Sequence, residues 1–283
     1  MNIQEQARKA ETLRKLHAGP RILVLANAWD VTSARIVEEL GFPAVATTSA
    51  GVANSLGYPD GQRISRDEMF DVVERIARAV NVPVTADAEA GYGLTPKEMA
   101  ETARALVNTG AVGLNFEDVT GDDESTHVEI NLQVEKIEAL QEASAAMGVK
   151  LVVNARTDVY LMPIGPAETR FERTVERLRA YRKAGADCLF VPGLRDKETI
   201  AKIVKAVEAP VNILLQPGGP TLGELQKMGV ARASIGSGLM RAALGTTRNV
   251  AKALMELRDH TPLMEGAMAY AELNAMLERK RTN

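Results

Sequence analysis

Eight short runs of β-branched and other apolar residues recur along this chain, and helical patterns separate most of them. Runs of this composition are predicted as strands, and segments such as 67–80, with apolar residues three or four positions apart, as amphipathic helices. The predicted strands cover residues 22–26, 44–48, 82–87, 112–116, 151–155, 188–192, 211–215 and 231–236. Regular alternation of strands and helices predicts an α/β fold with a parallel sheet.

Four glycines, Gly41, Gly110, Gly185 and Gly229, stand just before every second predicted strand. Glycine at the end of a helix is typical of a left-handed cap, so these positions predict where helices stop. Eight strands with intervening helices favour a (β/α)8 TIM barrel, whose ligand site lies at the carboxyl ends of the strands. The alternative is an open doubly wound sheet with a glycine-rich loop after the first strand. Segment 27–30 (Asn-Ala-Trp-Asp) has no glycine, which favours the barrel.

The length of 283 residues would suggest about two domains, but α/β barrels of ~200–250 residues form one unit, so the length permits a single core. With the strand pattern, we predict a single barrel domain over residues 1–283, with 237–283 as a C-terminal helical extension. Helical patterns at 250–258 and 262–281 exceed what the barrel needs.

The net charge of −3 gives no basic patch for nucleic acid or an anionic membrane, and no apolar run approaches the ~18 residues of a membrane span. The single cysteine, Cys188, cannot form an internal disulfide, which predicts a cytoplasmic location.

Polar side chains follow three neighbouring predicted strands at spacings of two residues. Residues two apart in a strand point the same way, so each set shares one face near the barrel mouth. The sets are Thr85, Asp87 and Glu89; Asn115 and Glu117; and Asn154, Arg156 and Asp158. Converging carboxylates repel one another without a cation, and oxygen ligands suit Mg²⁺, with Mn²⁺ as the alternative. We therefore predict that Asp87, Glu89 and Glu117 bind a metal.

The same sets contain candidates for substrate binding. Arg156 has the planar guanidinium that grips a carboxylate, and Asn115 and Asn154 lie on the same strand faces. A structural ion-pair network around Arg156 is the alternative interpretation. After the second strand, the hydroxyl and N–H groups of segment 47–51 suit an anionic substrate, although such residues also form ordinary turns.

The histidines and the cysteine give weaker indications. His17 and His260 are interpreted as surface residues, because neither stands at a predicted strand end. His127 lies in an acidic loop that could cover the site, so it is kept as a candidate acid or base. Cys188 begins a predicted strand, where a buried, inert thiol is expected.

Six ordered motifs resemble the isocitrate lyase and phosphoenolpyruvate mutase superfamily, and the resemblance runs from about residue 8 to about residue 258. The motifs are Asn-Ala-Trp-Asp at 27–30, Thr-Ser-Ala-Gly at 48–51, Ser-Leu-Gly-Tyr-Pro-Asp at 55–60, Asp-Ala-Glu-Ala-Gly-Tyr-Gly at 87–93, Asn-Phe-Glu-Asp at 115–118 and Asn-Ala-Arg-Thr-Asp at 154–158. The resemblance implies a (β/α)8 barrel, commonly with its eighth helix exchanged between subunits of a homodimer or homotetramer. It also implies Mg²⁺ and small 2-oxo or 2-hydroxy carboxylates, cleaved or rearranged at a C–C or P–C bond through an enolate.

The resemblance also implies roles for single residues. Asp87 is similar to the direct metal ligand, and Glu89 and Glu117 to carboxylates that hold the metal's waters. Asp60 is similar to a carboxylate that contacts those ligands rather than the metal, and we class Asp60, Glu117 and Arg156 as candidate catalytic residues. The substrate carboxylate is expected on Ser49, Ala50 and Gly51, with Thr48 as the alternative to Ser49, and on Arg156.

Two departures from the superfamily pattern qualify the function. The lyases carry a Lys-Lys-Cys-Gly-His type segment on the loop after the fourth strand, whereas loop 119–130 of this chain is short and acidic; Glu89 also replaces a commoner aspartate. The leading hypothesis is an Mg²⁺-dependent lyase, decarboxylase or phosphonomutase-like enzyme acting on a 2-oxo acid such as oxaloacetate or phosphonopyruvate.

Two other functions remain open. One is phosphoenolpyruvate mutation or phosphonopyruvate hydrolysis proper, with Thr120, Ser125 and Thr126 as candidates for handling the phosphoryl group. The other is a protein that binds a 2-oxo acid without turnover, because a fold does not prescribe an activity.

Overall fold

The computed structural model describes residues 2–119, 127–162, 164–256 and 259–279. Strands and helices alternate along this part of the chain, and the C-terminal helices follow the last strand. The elements are α1 (Ile3–Leu16), β1 (Leu23–Leu25), β2 (Asn27–Ala28), α2 (Val31–Glu39), β3 (Val45–Thr47), α3 (Ser49–Ser55), α4 (Arg66–Ala79), β4 (Val84–Asp87), α5 (Pro96–Thr109), β5 (Gly113–Glu117), α6 (Ile130–Ala146), β6 (Val152–Arg156), α7 (Arg170–Lys183), β7 (Cys188–Val191), α8 (Lys197–Val207), β8 (Val211–Leu214), α9 (Leu222–Lys227), β9 (Arg232–Ser234), α10 (Gly238–Met255), α11 (Thr261–Met264) and α12 (Tyr270–Glu278).

The strands form one parallel sheet in the order β1-β9-β8-β7-β6-β5-β4-β3-β2. Its two ends are β1, which lies within the predicted first strand, and β2, which follows β1 after one residue, so the sheet closes into the predicted (β/α)8 barrel. Asn27 ties this seam together: its Nδ2 donates to the carbonyl of Thr47 at 2.7 Å, and its Oδ1 accepts from the N–H groups of Ile235 and Gly236 at 3.0 Å. The first strand therefore continues to Ala28 rather than ending at residue 26.

The predicted helix caps are confirmed. All four glycines have the positive φ of a left-handed cap, and Gly110 shows the reason most directly, because it ends α5 at φ 90° and donates its N–H to the carbonyl of Val107. The helix predicted at 67–80 is α4, whose N-terminus is fixed by a capping box between Ser65 and Glu68.

Helix α1 packs across the starts of the strands that follow α5 and α6. Its Leu13 is fully buried, and a Cβ at Gly113 would lie 3.1 Å from Leu13 Cδ2 and 2.7 Å from the carbonyl oxygen of Val152. Arg14 of the same helix donates to Asp187, which directly precedes β7, at 2.8 Å. The amino-terminal end of the barrel is therefore covered, and the carboxyl ends of the strands remain for a site.

The prediction that His17 is a surface residue is wrong, whereas His260 is exposed as predicted. His17 follows α1 and is buried with it, and its Nδ1 donates to the carbonyl of Leu13 at 2.8 Å. Burial, assisted by the positive charge of Arg232, lowers the pKa of His17 to about 4. Sequence periodicity could not reveal this, because it does not show which helix covers the barrel floor.

This buried histidine predicts an acid-sensitive fold. Because its folded pKa lies below the unfolded value, the stability that His17 contributes is present above pH 6.5 and is lost as the pH falls towards 4. In urea titrations at pH 7 and 4.5, we expect the free energy of unfolding to fall by about 2 kcal/mol more in the wild type than in His17→Gln. His260→Gln is the control, because His260 is exposed. Equal pH dependence in all three proteins would contradict the assignment.

The C-terminal helices differ in extent from the sequence prediction. Helix α10 begins at Gly238, well before the predicted start at 250, and the segment predicted as one helix at 262–281 contains α11 and α12. In α10, Met240 and Ala253 are the buried residues, while Leu254 and Met255 are more than half exposed. Exchange of this helix between subunits stays a prediction. Among the described helices, none combines the length and apolarity that crossing a membrane requires.

Candidate active site

A cavity of about 240 Å³ lies at the carboxyl ends of β4, β5 and β6. Its lining residues are Ser49, Asp60, Gly61, Glu89, Glu117, Val119, Arg156, Asp158, Leu161 and Met162. Five residues predicted separately from the sequence, Ser49, Asp60, Glu89, Glu117 and Arg156, therefore surround one space. The structure thus brings together the polar residues of three strand ends, as expected for a barrel.

Asp87 is the last residue of β4 and is held in place on both of its carboxylate oxygens. Its Oδ2 accepts hydrogen bonds from Ser49 N at 3.0 Å and Ser49 Oγ at 2.8 Å, and its Oδ1 accepts one from Asn115 Nδ2 at 3.1 Å. The N–H of Asp87 donates to Thr47 Oγ1 at 2.9 Å. All three partners are neutral, so the carboxylate is oriented without its charge being balanced by them.

Glu89 links the exit of β4 to the segment that carries Asp60. Its backbone has a φ of 49°, its Oε1 accepts from the N–H of Gln62 at 2.7 Å, and its Oε2 accepts from the hydroxyl of Tyr92 at 2.7 Å. Burial raises the pKa of Glu89, and these two hydrogen bonds oppose the rise. The longer side chain of glutamate thus reaches Gln62 and holds segment 60–62 at the edge of the cavity.

Arg156 lies between two carboxylates at the end of β6. It binds Asp158 through Nε at 2.6 Å and Nη2 at 2.7 Å, and its Nη1 lies 2.6 Å from Glu117 Oε2. Burial acts to lower the pKa of Arg156, but the negative charges of Asp158 and Glu117 raise it by more. The pKa of Arg156 therefore lies well above its usual value. The ion-pair network proposed as an alternative is therefore present. Because a guanidinium has five N–H groups, each terminal nitrogen still has a second N–H for a ligand.

The charges around the cavity do not balance. Four carboxylates line the cavity, those of Asp60, Glu89, Glu117 and Asp158, and Arg156 is the one cation among the described lining residues. A fifth carboxylate, that of Asp87, is not among the lining residues but is hydrogen-bonded to Ser49, which is. Burial raises the pKa of Glu117 well above its usual value, and although Arg156 opposes the rise, repulsion from Asp158 and Asp87 adds to it. A buried excess of negative charge suits a bound cation.

The arrangement limits how a metal could be bound. In the described part of the chain, no group of three or more histidine, cysteine, aspartate or glutamate side chains is placed to hold a metal ion by itself. The residues therefore fit an ion that takes few protein ligands and keeps several waters, as Mg²⁺ does, rather than a closed site of three or four side chains.

Asp118 anchors the wall of the cavity from beneath. It is fully buried, its Oδ1 accepts from the N–H of Asp158 at 3.0 Å, and its Oδ2 accepts from the hydroxyl of Tyr181 at 2.8 Å and from Arg177 Nη1 at 3.1 Å. One carboxylate thus connects the end of β5, the loop after β6 and helix α7. This fixes the position of Asp158 and, through Asp158, of Arg156.

The sequence model of the phosphoenolpyruvate phosphomutase family matches residues 13–255. The chain belongs to this family. The superfamily resemblance of the sequence motifs is therefore confirmed, and related proteins support it. An oxaloacetate decarboxylase of Pseudomonas fluorescens (strain SBW25) is 31% identical over 260 residues, which cover 88% of this chain and 86% of that protein.

Two solved structures extend the comparison. A candidate lyase/mutase from Burkholderia cenocepacia J2315 has a TM-score of 0.91 and 38% identity, covering 98% of this chain and 99% of that one. An oxaloacetate acetylhydrolase bound to its product oxalate has a TM-score of 0.83 and 27% identity, covering 95% and 93%. Members of the phosphoenolpyruvate phosphomutase family are thus lyases, decarboxylases and mutases, and this chain is an enzyme of that type. The alternative of a binding protein without turnover loses its support.

Not every predicted residue of this family member reaches the cavity. Ser49 lines it, whereas Thr48 Oγ1 accepts the N–H of Gly51 at 3.4 Å and caps α3, so Ser49 is the better placed of the two. Ala50 and Gly51 are not among the lining residues described, and neither is His127. The candidates Thr120, Ser125 and Thr126 lie outside the described residues.

Asn115 and Asn154 lie beneath the cavity rather than in its wall. Asn154 Nδ2 donates to Asn115 Oδ1 at 2.8 Å, and both side chains are buried. Cys188 is buried as predicted, and burial raises the pKa of its thiol to about 12, which makes it inert.

Four residues that shape the site in this family member were not predicted from the sequence: Gln62, Tyr92, Asp118 and Arg232. Tyr92 and Asp118 stand inside quoted motifs. Tyr92 binds Glu89 of its own motif, whereas the partners of Asp118 on the loop after β6 and on α7 are distant in sequence. Arg232 had a usable signal, because a charged residue alternates with Ala231 and Ala233 in a predicted barrel strand, where both faces are buried.

Proposed function

We propose that this enzyme is an Mg²⁺-dependent lyase or decarboxylase that breaks a C–C bond of a small 2-oxo dicarboxylate, with oxaloacetate as the first candidate. The observation that carries the proposal is the cavity in which Arg156 faces an excess of buried carboxylates. The decarboxylase and the acetylhydrolase described above are both named for oxaloacetate, which supports this substrate class. The catalytic roles of Asp60, Glu117 and Arg156 are part of the proposal.

The size and chemistry of the cavity support a small anionic substrate. Its volume of about 240 Å³ is below the ~300–1,000 Å³ of pockets for drug-sized ligands. The second N–H groups on the terminal nitrogens of Arg156 would bind one carboxylate of the substrate. Ser49 lines the same cavity. Leu161 and Met162 give the wall an apolar part that reduces access of water to the bond that breaks.

Asp87 is the residue that we propose as direct metal ligand, with Glu89 and Glu117 holding the metal's waters. A bound Mg²⁺ would supply positive charge that stabilises the charge developing on the 2-oxo group. Ser49 and Asn115 aim the carboxylate of Asp87 in advance, so little reorganisation is needed. Glu89 would hold segment 60–62 as well, because Gln62 and Tyr92 already bind its oxygens.

A substrate panel tests the proposal. The purified protein is incubated with 2-oxo and 2-hydroxy di- and tricarboxylates and Mg²⁺, and release of pyruvate, oxalate or glyoxylate is followed by proton and carbon NMR. A preparation of Asp87→Ala, purified in parallel, controls for contaminating enzymes. We expect turnover of oxaloacetate above the spontaneous rate in the wild type alone. Equal rates in both preparations across the panel would refute the proposal.

The rival within the family is rearrangement or hydrolysis of a P–C bond. Phosphorus NMR of the protein with phosphonopyruvate and Mg²⁺ separates the two reactions, because both mutation and hydrolysis change the phosphorus signal. We expect an unchanged signal. Formation of phosphoenolpyruvate or inorganic phosphate would make the P–C reaction the function of the site.

We also propose that the chain forms a homodimer or homotetramer. Helix α10 borders a groove of about 970 Å³, and Leu244, Leu254 and Met255 are each more than half exposed. Burial of such apolar area favours association. Light scattering coupled to gel filtration is expected to give a mass of two or four chains, and replacement of Leu254 and Met255 by glutamate is expected to shift it towards one. A monomeric wild type would contradict this proposal.

A further inference from the structure

Arg232 lies inside the barrel and is fully buried. It is the first residue of β9, where its neighbour Ala233 packs in the hydrophobic core, while Ser234 exchanges hydrogen bonds with Asn212. Because side chains alternate along a strand, Arg232 and Ser234 share the inward face. A charged side chain in this place is unusual, since barrel interiors are mostly filled by branched apolar residues.

The guanidinium of Arg232 is only partly satisfied. Its Nη2 donates to Asn115 Oδ1 at 3.1 Å, but Nε and Nη1 have no hydrogen-bond partner within the described part of the chain. No carboxylate of the described residues forms an ion pair with it within 4 Å. Such burial is costly for a charged group, so a leucine or methionine here would be expected to improve stability.

The contact that Arg232 does make leads directly to the proposed metal ligand. Asn115 Oδ1 accepts from both Arg232 and Asn154, and its Nδ2 then donates to Asp87 Oδ1 at 3.1 Å. With two donors on its oxygen, the amide of Asn115 cannot flip without setting N–H groups against N–H groups. The orientation of Asn115, and through it that of Asp87, therefore depends on the donors below.

Electrostatics points the same way. Burial lowers the pKa of Arg232, and Asp87, on the far side of Asn115, is one of the groups whose negative charge opposes this shift. His17, a titratable base near Arg232, adds no charge at neutral pH, because burial lowers its pKa to about 4. The thiol of Cys188 also stays neutral. Arg232 thus supplies the positive charge on the floor beneath the carboxylate cluster.

We propose that Arg232 is a positioning residue of this enzyme: it fixes the Asn115 amide and, through it, the Asp87 carboxylate, and it does so at a cost in stability. The functional part rests on the role proposed for Asp87. A merely structural residue would behave in the opposite way, because its removal would lower stability and leave the site unchanged. Arg232→Met, which keeps the length and loses the charge, separates the two cases.

The expected results for Arg232→Met combine an unchanged or higher melting temperature with a loss of activity. We expect kcat to fall at least about tenfold, with KM changing less than about threefold, since the substrate contacts of Arg156 remain. In the background of Asn115→Ala, the same substitution is expected to cost much less, because Arg232 acts through Asn115. Ser234→Ala is the control: it lies on the same inward strand face, and its activity is expected to stay near that of the wild type.

A crystal structure of Arg232→Met tests the positioning itself, whatever reaction the wild type performs. We expect the Asn115 amide to rotate and the Asp87 carboxylate to leave the position set by Ser49 and Asn115. Asn115 and Asp87 in unchanged positions, or a lower melting temperature with full kcat, would overturn the proposal. Failure of the wild type on every substrate would instead refute the proposed function and leave this structural result to decide the role of Arg232.

Discussion

Replacing Asp87 by alanine is expected to lower kcat/KM more than about a hundredfold, roughly 3 kcal/mol of transition-state stabilisation. Asp87 is the carboxylate that Ser49 and Asn115 orient on both oxygens, and none of these partners neutralises it. Steady-state kinetics at saturating Mg²⁺ measures the effect. Asp71→Ala is the matched control, because Asp71 is exposed on α4 and is expected to be neutral.

Metal removal complements this substitution. The wild type treated with a chelator is expected to lose activity and to regain it with Mg²⁺ or Mn²⁺, whereas Asp87→Ala is expected to gain little from either ion. If Asp87→Ala kept normal activity after chelation, both the metal dependence of the reaction and the role of Asp87 as metal ligand would be refuted.

Replacing Arg156 by methionine is expected to damage both stability and activity. The buried carboxylates of Glu117 and Asp158 would lose their counter-charge, and breaking a buried ion pair from one side costs about 3–5 kcal/mol. We expect kcat/KM to fall by more than about a hundredfold as well, because the grip on the substrate carboxylate is lost. Urea unfolding and steady-state kinetics measure the two effects separately.

Arg156→Lys distinguishes the substrate grip from the ion-pair network. Lysine keeps the charge, so most of the stability is expected to remain, but it lacks the planar fork that binds two oxygens. We expect kcat/KM to stay at least about tenfold below that of the wild type. Arg75→Lys, an exposed substitution on α4, is the control. If Arg156→Lys kept full activity, Arg156 would be a structural ion-pair residue and no more.

The fold could be predicted from this sequence because its signals are local. The hydrophobic periods of strands and helices alternate along the chain, and glycines such as Gly110, which ends α5 with a φ of 90°, mark where helices stop. Only a few topologies accommodate this order of elements. The division of the first strand into β1 and β2 was not predictable. It depends on the closure of the sheet, in which β1 pairs with β9 and β2 with β3.

The candidate site was predictable where one strand orders its own residues. The spacing of Asn154, Arg156 and Asp158 placed them at one strand end, and Arg156 does pair with Asp158. Contacts between distant segments were not predictable: nothing in the sequence connects Glu89 to Gln62, or Asp118 to Tyr181. Such pairs form only when the barrel brings separate loops and helices together.

The sequence by itself thus determined the barrel, the strand ends that carry the polar residues and the family to which they belong. The tertiary structure decided which groups meet: that Ser49 rather than Thr48 faces the cavity, that His17 is buried, and that Arg232 lies beneath Asp87. The physical reason is that periodicity shows which side chains share a face of a strand. In a barrel both faces are buried, and only the packing of the helices shows which face is the interior.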